Sequence, residues 1–575
     1  MQIVIVGGVA AGVTAATRLR RLMEDAKIIL IERGEKISFA NCALPYYAGG
    51  LLRPEGLYAA QAGVVSARNA VDIRERHEVL SIDREAKKLS VKNLVTGEVY
   101  ALDYDKLVLA TGADPRMLPI EGLKENAHPL WRTEDAIRLE EALSKNPELT
   151  AAIVGGGAVG LEAAENIVRR GGTVHLLEYG RTIMGRNDAA LSDAFVHLAE
   201  GKNRRLVWHL GRSASKIERL DSGRLSVTLT DGSRIEVDYL LSAAGVQPRS
   251  KLAEAAGLEL GPRGTILCDG MMRTSDPNIF AAGDVATSPD PETGAPRPMM
   301  LAGTAVKEGR KAADAIAGLA ASKPLKGGFG TNAVSLFGTL WASTGKNEQT
   351  LMNEGKKRRR DFFTATLIGS NHVGWYPGSV PLLLKIVFDP EGRLLGAQAI
   401  GRDGADKRVD VLSTAMRFGA NVRDLPDFDL CYSPQTGAPK DPVNTAGHLA
   451  ENILNGLVRF IEPQEVANIF ADLAPDLGDD VPNTPDRTYV LDVRTPPEVA
   501  DDPIPVPFDA IPLEELRERL DEIPRDGRTI VVVCRAAVRA YTAARILDQK
   551  GFANVFVMTG GMRYWNLVRP NLKGE

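Results

Sequence analysis

Two cysteines stand in settings that could do chemistry. The first, Cys42, lies in the stretch Ser38-Phe39-Ala40-Asn41-Cys42-Ala43-Leu44-Pro45-Tyr46-Tyr47, and the next cysteine in the chain is Cys268. A reactive thiol needs a lowered pKa and a partner that exchanges electrons with it. With no second cysteine nearby, a local dithiol pair is excluded, which leaves a single-cysteine redox centre or a buried cysteine used as a small apolar residue. The second, Cys534, ends an apolar run, Thr529 to Val533, and opens the loop Cys534-Arg535-Ala536-Ala537-Val538-Arg539 before a helical pattern. Loop amides, the helix dipole, Arg535 and Arg539 would together stabilise a thiolate or persulfide anion there. Cys268 and Cys431 have no comparable setting and read as structural.

The elements that must position Cys42 precede it. A buried-strand run over residues 3 to 6 leads into Gly7-Gly8-Val9-Ala10-Ala11-Gly12 and a helical pattern from Val13 to about Met23. A second strand, Ile28 to Ile31, ends in Glu32, placed to bind a ribose hydroxyl. Gly7, Gly8 and Gly12 are the phosphate-loop candidates, with Val9 at the position of the middle glycine. Arg18, Arg20 and Arg21 follow on the helix as a solvated face, and Arg18 and Arg21 are the cations nearest in sequence to Cys42 for a polyanionic substrate. A complete fingerprint stands at Gly155-Gly156-Gly157-Ala158-Val159-Gly160, with Glu178 beyond it. Gly155, Gly157 and Gly160 let backbone amides approach a pyrophosphate. Glu178 would bind a free 2′-hydroxyl and repel a 2′-phosphate, which favours NADH over NADPH. The turns at Ala110-Thr111-Gly112 and Ala243-Ala244-Gly245 close each nucleotide-binding half, and Gly283-Asp284 ends a further short strand.

The chain has 575 residues, enough for three or four domains. A net charge of -4 argues against a nucleic-acid partner. No apolar run reaches the length of a membrane helix. The N-terminus enters a strand directly, without a signal-peptide pattern, and four scattered cysteines make no disulfide framework. The reducing cytoplasm is the expected compartment. No metal site is expected.

The order of fingerprint, Asn41-Cys42, Ala110-Thr111-Gly112, second fingerprint and Gly283-Asp284 resembles the pyridine nucleotide–disulfide oxidoreductase superfamily. The single cysteine narrows the resemblance to its coenzyme A disulfide reductase and NADH oxidase/peroxidase branch. Residues 484–575 resemble one rhodanese domain, with Ala537 where a glycine is usual and Asp501-Asp502-Pro503-Ile504-Pro505 in place of a familiar His-Ile-Pro-Gly segment. The resemblance implies an α/β fold of two Rossmann-like domains for FAD and NAD(P), an α+β dimerisation domain and the rhodanese domain. The expected bounds are 1–115 and 246–325 for FAD, 116–245 for NAD, 326–455 for dimerisation, 456–483 as a linker and 484–575 for rhodanese. It further implies that Asp284 meets the flavin's ribityl chain, that Asn41 and nearby backbone hold the Cys42 thiolate, and that Ser38 lies at the substrate site. Tyr376, in His372-Val373-Gly374-Trp375-Tyr376, and Tyr432, beside Cys431, match tyrosines that enter the partner subunit's active site in a homodimer. The expected activity is NADH-dependent reduction of coenzyme A persulfides, polysulfides or coenzyme A disulfide. Two alternatives stay open: an NADH oxidase or peroxidase working through a sulfenic acid on Cys42, and a sulfur-transfer protein with a non-catalytic flavin portion. The basic run Lys356 to Arg360 reads as a solvated hairpin tip, and residues 514–522 read as a helix.

Overall fold

The computed structural model describes residues 1–185, 187–200, 204–471 and 484–570. These form two compact units, residues 1–183 with 205–330, and residues 184–204 with 331–575.

In the first unit, short apolar runs too continuous for a half-exposed strand become the central strands of two parallel sheets, covered on both faces. One sheet has the order Ile279–Ala281, Lys106–Leu109, Gln2–Val6, Lys27–Glu32, Val71–Glu75. The other has the order Leu206–Leu210, Thr173–Glu178, Thr150–Val154, Tyr239–Ser242, His128–Pro129. In each, the strand before the glycine loop pairs in parallel with the strand that ends in glutamate. Helix Ala10–Leu22 runs from the first loop and packs on helix Ala302–Ile316 through small residues; a Cβ on Gly309 would lie 2.2 Å from the Ala11 carbonyl oxygen. Two three-stranded and two two-stranded antiparallel sheets also belong to the unit.

The second unit holds a five-stranded antiparallel sheet in the order Asn332–Leu336, Thr339–Gly345, Leu394–Gly401, Pro381–Phe388, Phe363–Ser370. It also holds a parallel sheet in the order Phe460–Ile461, Val555–Met558, Thr529–Val533, Thr488–Asp492, Asp509–Ala510. Among the described residues, no helix is long and apolar enough to cross a membrane.

Four readings of the sequence need correction. Residues 184–204 do not stay with the nucleotide-binding sheet: helix Ala189–Glu200 belongs to the second unit, where Phe195 packs on Trp341 with ring centroids 5.4 Å apart. The segment read as a linker from residue 456 contains strand Phe460–Ile461, paired with Val557 and Met558, and helix Pro463–Phe470. The rest of that segment, 472–483, lies outside the described residues. Residues 514–522 form turns and the short 3-10 helix Leu520–Glu522, with Leu516 buried in the core and Leu520 packed against it. Within the basic run, Arg358 donates to Glu348 (2.7 Å) and Glu465 (2.9 Å), and Arg359 donates to Glu465 (2.5 Å), so both are bound into the fold and not solvated at a tip.

Candidate active site

The two glycine loops are steric necessities. Gly7 has φ +109°, and a Cβ there would sit 2.1 Å from the Ala110 carbonyl oxygen; one on Gly12 would sit 1.8 Å from the Gly7 oxygen. The second loop repeats the pattern, with Gly155 at φ +116° against Ala243 and Gly160 against the Gly155 oxygen (2.0 Å). Each loop is clamped by its glutamate. Gly8 and Gly34 donate backbone N–H groups to Glu32 at 2.7 and 2.6 Å, and Gly156 and Gly180 donate to Glu178 at 2.7 and 2.9 Å. Nothing lies within 4 Å of a Cβ placed on Gly157, so open space faces the start of helix Ala158–Arg169. Open loop amides at a helix start, with a fixed carboxylate at the adjoining strand end, are the donor set a dinucleotide requires, and both halves fit one.

The turns around these loops are braced. Thr111 Oγ1 donates to the Arg249 carbonyl (2.9 Å), and Arg249 N donates to the Gly112 carbonyl (2.9 Å). Gly283, at φ +83°, donates its N–H to Glu308 (2.8 Å), a carboxyl that burial pushes up to about 8. Burial also pushes the neighbouring Asp284 carboxyl up.

Cys42 lies in the 3-10 turn Asn41–Ala43, which runs into helix Leu44–Ala48. Ser38, in the left-handed region at φ +57°, hangs this segment on the first loop: its N–H donates to the Gly8 carbonyl (2.7 Å). Cys42 is exposed at the surface of the chain. Partial enclosure of its sulfur, then the charge of Glu162 and more weakly that of Asp284, push its thiol up, against a backbone hydrogen bond that works the other way. Among the described residues, the charges that chiefly act on this sulfur are acidic, and they raise its pKa where the sequence leads one to expect a lowered one. The Asn41 amide is likewise turned elsewhere, donating to the Trp131 carbonyl at 3.3 Å and not serving the sulfur.

Sequence reasoning missed Tyr46 and Glu162. The Tyr46 hydroxyl donates to Glu162 Oε1 at 3.3 Å, one helical turn beyond Cys42. Burial and this acid push the Tyr46 phenol up to about 12. The available signal was positional, since Glu162 lies two residues past the last glycine of the fingerprint. The proposed phosphate cations fare unequally. Arg18 is ion-paired with Asp314 at 2.8 Å and is part of the helix contact, not a free clamp, while Arg21 is exposed. Arg20 is buried and donates to five backbone carbonyls, so it is no part of a solvated face.

The second unit carries the other candidates. Tyr376 and Tyr432 lie in neighbouring loops, joined by Gln435 Nε2 donating to the Tyr376 hydroxyl (2.8 Å) and by Val373 N donating to the Gly437 carbonyl (3.0 Å). Trp375 is 72% and Tyr432 48% exposed, an aromatic surface left open on the single chain. Cys534 is buried at the end of strand Thr529–Val533, just before helix Val538–Gln549. Its loop is held from the far side, where Met562 N donates to the Cys534 carbonyl (2.9 Å) and Arg563 N to the Arg535 carbonyl (3.0 Å). A Cβ on Gly561 would strike the Cys534 carbonyl oxygen at 2.2 Å. Ala537 occupies the left-handed region at φ +64°, which explains why glycine suits the position. Both terminal nitrogens of Arg539 donate to Glu498 at 2.7 Å, which holds that carboxyl down at about 2, and Arg539 also lies within reach of the charge of Cys534. Arg535 is exposed beside the loop.

Comparison with known proteins agrees with this geometry. Residues 1–309 match the family model "Pyridine nucleotide-disulphide oxidoreductase", residues 333–440 the dimerisation domain of that family, and residues 474–567 the rhodanese-like domain. The chain belongs to the pyridine nucleotide-disulphide oxidoreductase family. Its members are oxidoreductases, and the two dinucleotide cradles fit the flavin and pyridine nucleotide that the family uses. The chain is 32% identical over 460 residues to the coenzyme A disulfide reductase of Staphylococcus aureus strain Newman, covering 78% of this chain and all of that protein. Among solved structures it is similar to the reduced CoADR-RHD of Bacillus anthracis, with a TM-score of 0.90, 37% identity, and coverage of 99% of this chain and 98% of that one. It is also similar to an NAD-dependent persulfide reductase from A. fulgidus, with a TM-score of 0.87, 32% identity, and coverage of 98% and 100%. The rhodanese match begins at residue 474, ten residues before the bound expected from the sequence.

Proposed function

We propose that this protein is a flavin-dependent reductase that uses NADH to cleave sulfur–sulfur bonds of coenzyme A persulfides, polysulfides or coenzyme A disulfide at Cys42, with Cys534 handling sulfane sulfur. The observation that carries the reading is the pairing, in one chain, of a solitary cysteine beside two dinucleotide cradles with a buried cysteine in a rhodanese loop. Bound flavin supplies the two-electron link between the nicotinamide and sulfur. The Cys42 thiolate attacks the outer sulfur of a persulfide and releases the coenzyme A thiolate, leaving a persulfide on Cys42. Two electrons from NADH then cleave the Cys42–S–SH bond, returning Cys42 to its thiolate and releasing hydrosulfide. Gly155, Gly157, Gly160 and Glu178 hold the NADH, and Glu178 sets its preference over NADPH. Gly7, Gly8, Gly12, Glu32 and Asp284 hold the flavin nucleotide. The open aromatic surface of Trp375 and Tyr432, with Tyr376 half-buried beside it, supports a homodimer in which each subunit lends the tyrosine hydroxyls to the other's Cys42.

The test is NADH consumption with coenzyme A persulfide, coenzyme A disulfide, polysulfide, oxygen and peroxide offered in turn, using the wild type, Cys42→Ser and Cys534→Ser. Cys42→Ser should abolish turnover of every sulfur substrate with the flavin still bound. Cys534→Ser should spare coenzyme A persulfide and slow only protein-bound or elemental sulfur. Full turnover by Cys42→Ser, or preference for oxygen or peroxide, overturns the reading.

A further inference from the structure

The turn that carries Cys42 runs into the short helix Leu44–Ala48, which Gly49 and Gly50 close. This helix packs on Ala158–Arg169, the helix that starts at the second glycine loop. The Tyr46 hydroxyl donates to Glu162 at 3.3 Å, and a turn further along each helix Gly49 meets Asn166. A Cβ on Gly49 would lie 2.1 Å from Asn166 Oδ1, 2.7 Å from its Cγ and 2.8 Å from its Cβ. Gly49 has an ordinary right-handed backbone, φ −72°, so glycine is required there by the close approach and not by the torsion angle. Gly50, at φ +74°, faces the next turn of the same helix, with Arg170 Nη1 3.0 Å from where its Cβ would stand.

Asn166 is 1% exposed. Its Nδ2 donates to the Glu162 carbonyl at 2.8 Å, while its Oδ1 is buried without a hydrogen-bond partner among the described residues. An orphan buried oxygen carries a cost that an apolar residue of similar size would avoid. One hydrogen of Gly49 takes the Cβ direction and so points toward this oxygen, the geometry of a weak C–H···O contact. The two helices also differ in how firmly they are set. Ala158–Arg169 buries eight of its 12 residues, whereas Leu44–Ala48 has five residues and buries three. The shorter helix therefore takes its position from the longer one.

Resting on the reading of Cys42 as the reactive sulfur, we propose that Gly49 and Asn166 are positioning residues, a seat that fixes the Cys42 turn against the helix carrying the second nucleotide loop. Neither makes or breaks a bond in the reaction. A methyl group at Gly49 would have to retreat by about 1 Å or more to reach ordinary contact distance, and a misplacement of that size at reacting atoms costs about a hundredfold in rate.

The experiment separates the two halves of the reaction by stopped-flow absorbance of the holoprotein: reduction of the bound flavin by NADH, then its reoxidation by coenzyme A persulfide. Gly49→Ala should slow reoxidation by about tenfold or more and leave reduction by NADH within about twofold of wild type. Asn166→Gly in the Gly49→Ala background removes the three atoms that the new methyl would strike, and should bring reoxidation back to within about threefold. Hydrogen exchange should follow the same order, with peptides covering residues 41–50 exchanging about tenfold faster in Gly49→Ala and recovering in the double variant. Gly63→Ala, at a position with nothing within 4 Å of the added Cβ, is the control and should change neither half. If Gly49→Ala loses its flavin, Asn166→Gln presses a methylene onto Gly49 from the other side and carries the same test. Equal slowing of both halves, unchanged reoxidation, or no rescue in the double variant overturns the proposal. Failure of the underlying reading looks different: Cys42→Ser with its flavin bound would still be reoxidised by coenzyme A persulfide.

Discussion

Replacing Lys385 by methionine asks how the C-terminal sheet is joined to the antiparallel sheet within the second unit. Lys385 is 1% exposed, lies 3.0 Å from Asp188 and donates to Glu348. Glu348 also takes Arg358 at 2.7 Å, and Arg358 reaches on to Glu465 at the start of helix Pro463–Phe470. Removing the lysine therefore leaves Glu348 with one cation and takes from Asp188 the cation that lowers its pKa against burial. Breaking one partner out of a buried ion cluster costs about 3–5 kcal/mol. The assay is native-state hydrogen exchange of peptides covering strand Pro381–Phe388, in which that loss is about two to four orders of magnitude in rate. The sign with pH follows from Asp188. Without Lys385 its folded pKa rises further above the unfolded value, and a raised carboxyl destabilises the fold above that value and ceases to do so once protonated. The penalty should therefore shrink at pH 5 relative to pH 8. Asp188→Asn in the Lys385→Met background should recover at least half of the loss. Exchange within about tenfold of wild type in the single variant, or no recovery in the double, refutes the network as the joint.

Three further outcomes follow from the structure. Ala537→Gly should stabilise the second unit by about 0.5–1 kcal/mol, since alanine pays about 1–2 kcal/mol in the left-handed region and glycine returns part of that as unfolded-state entropy; a lower urea midpoint for the variant would contradict this. Glu178→Gln should narrow the ratio of kcat/KM for NADH over NADPH by about tenfold, and a wild type that already prefers NADPH would show the position misread. Burial lowers the pKa of His175 and His209, which share a hydrogen bond at 2.9 Å on adjacent strands of the nucleotide sheet, with Arg212 and Asp231 also acting on His209. Such histidines bind protons more readily unfolded, so their stabilisation is present above about pH 6.5 and is lost as pH falls below it and through their lowered folded values. A urea midpoint for the first unit that is unchanged between pH 7.5 and 5.5 would count against it.

What the sequence made legible was local and steric. Gly7, Gly12, Gly155 and Gly160 are there because backbone carbonyls lie about 2 Å from where a Cβ would go, and a tight turn between strand and helix is visible in any single chain. What it hid was distant charge. Arg358 meets Glu465, 107 positions away, and Lys385 meets Asp188 across nearly two hundred, so a basic run read as solvated became the joint of a buried network. The ion pair of Arg18 was hidden for the same reason, because a cation's use depends on whether an acid reaches it first, and Asp314 does.

Ala537 shows where the two kinds of information meet. Its departure from glycine is legible in the chain, but its consequence is not, because a loop could either change shape to suit alanine or hold its shape and carry the strain. The structure holds the shape. A Cβ on Gly561 would lie 2.2 Å from the Cys534 carbonyl oxygen, and the N–H groups of Met562 and Arg563 donate to the carbonyls of Cys534 and Arg535, so the loop is pinned from outside before residue 537 is reached. A loop fixed by its neighbours keeps its shape around Cys534 whichever residue sits at 537, which is why Ala537→Gly is expected to change stability and leave any sulfur transfer proposed for Cys534 unaltered.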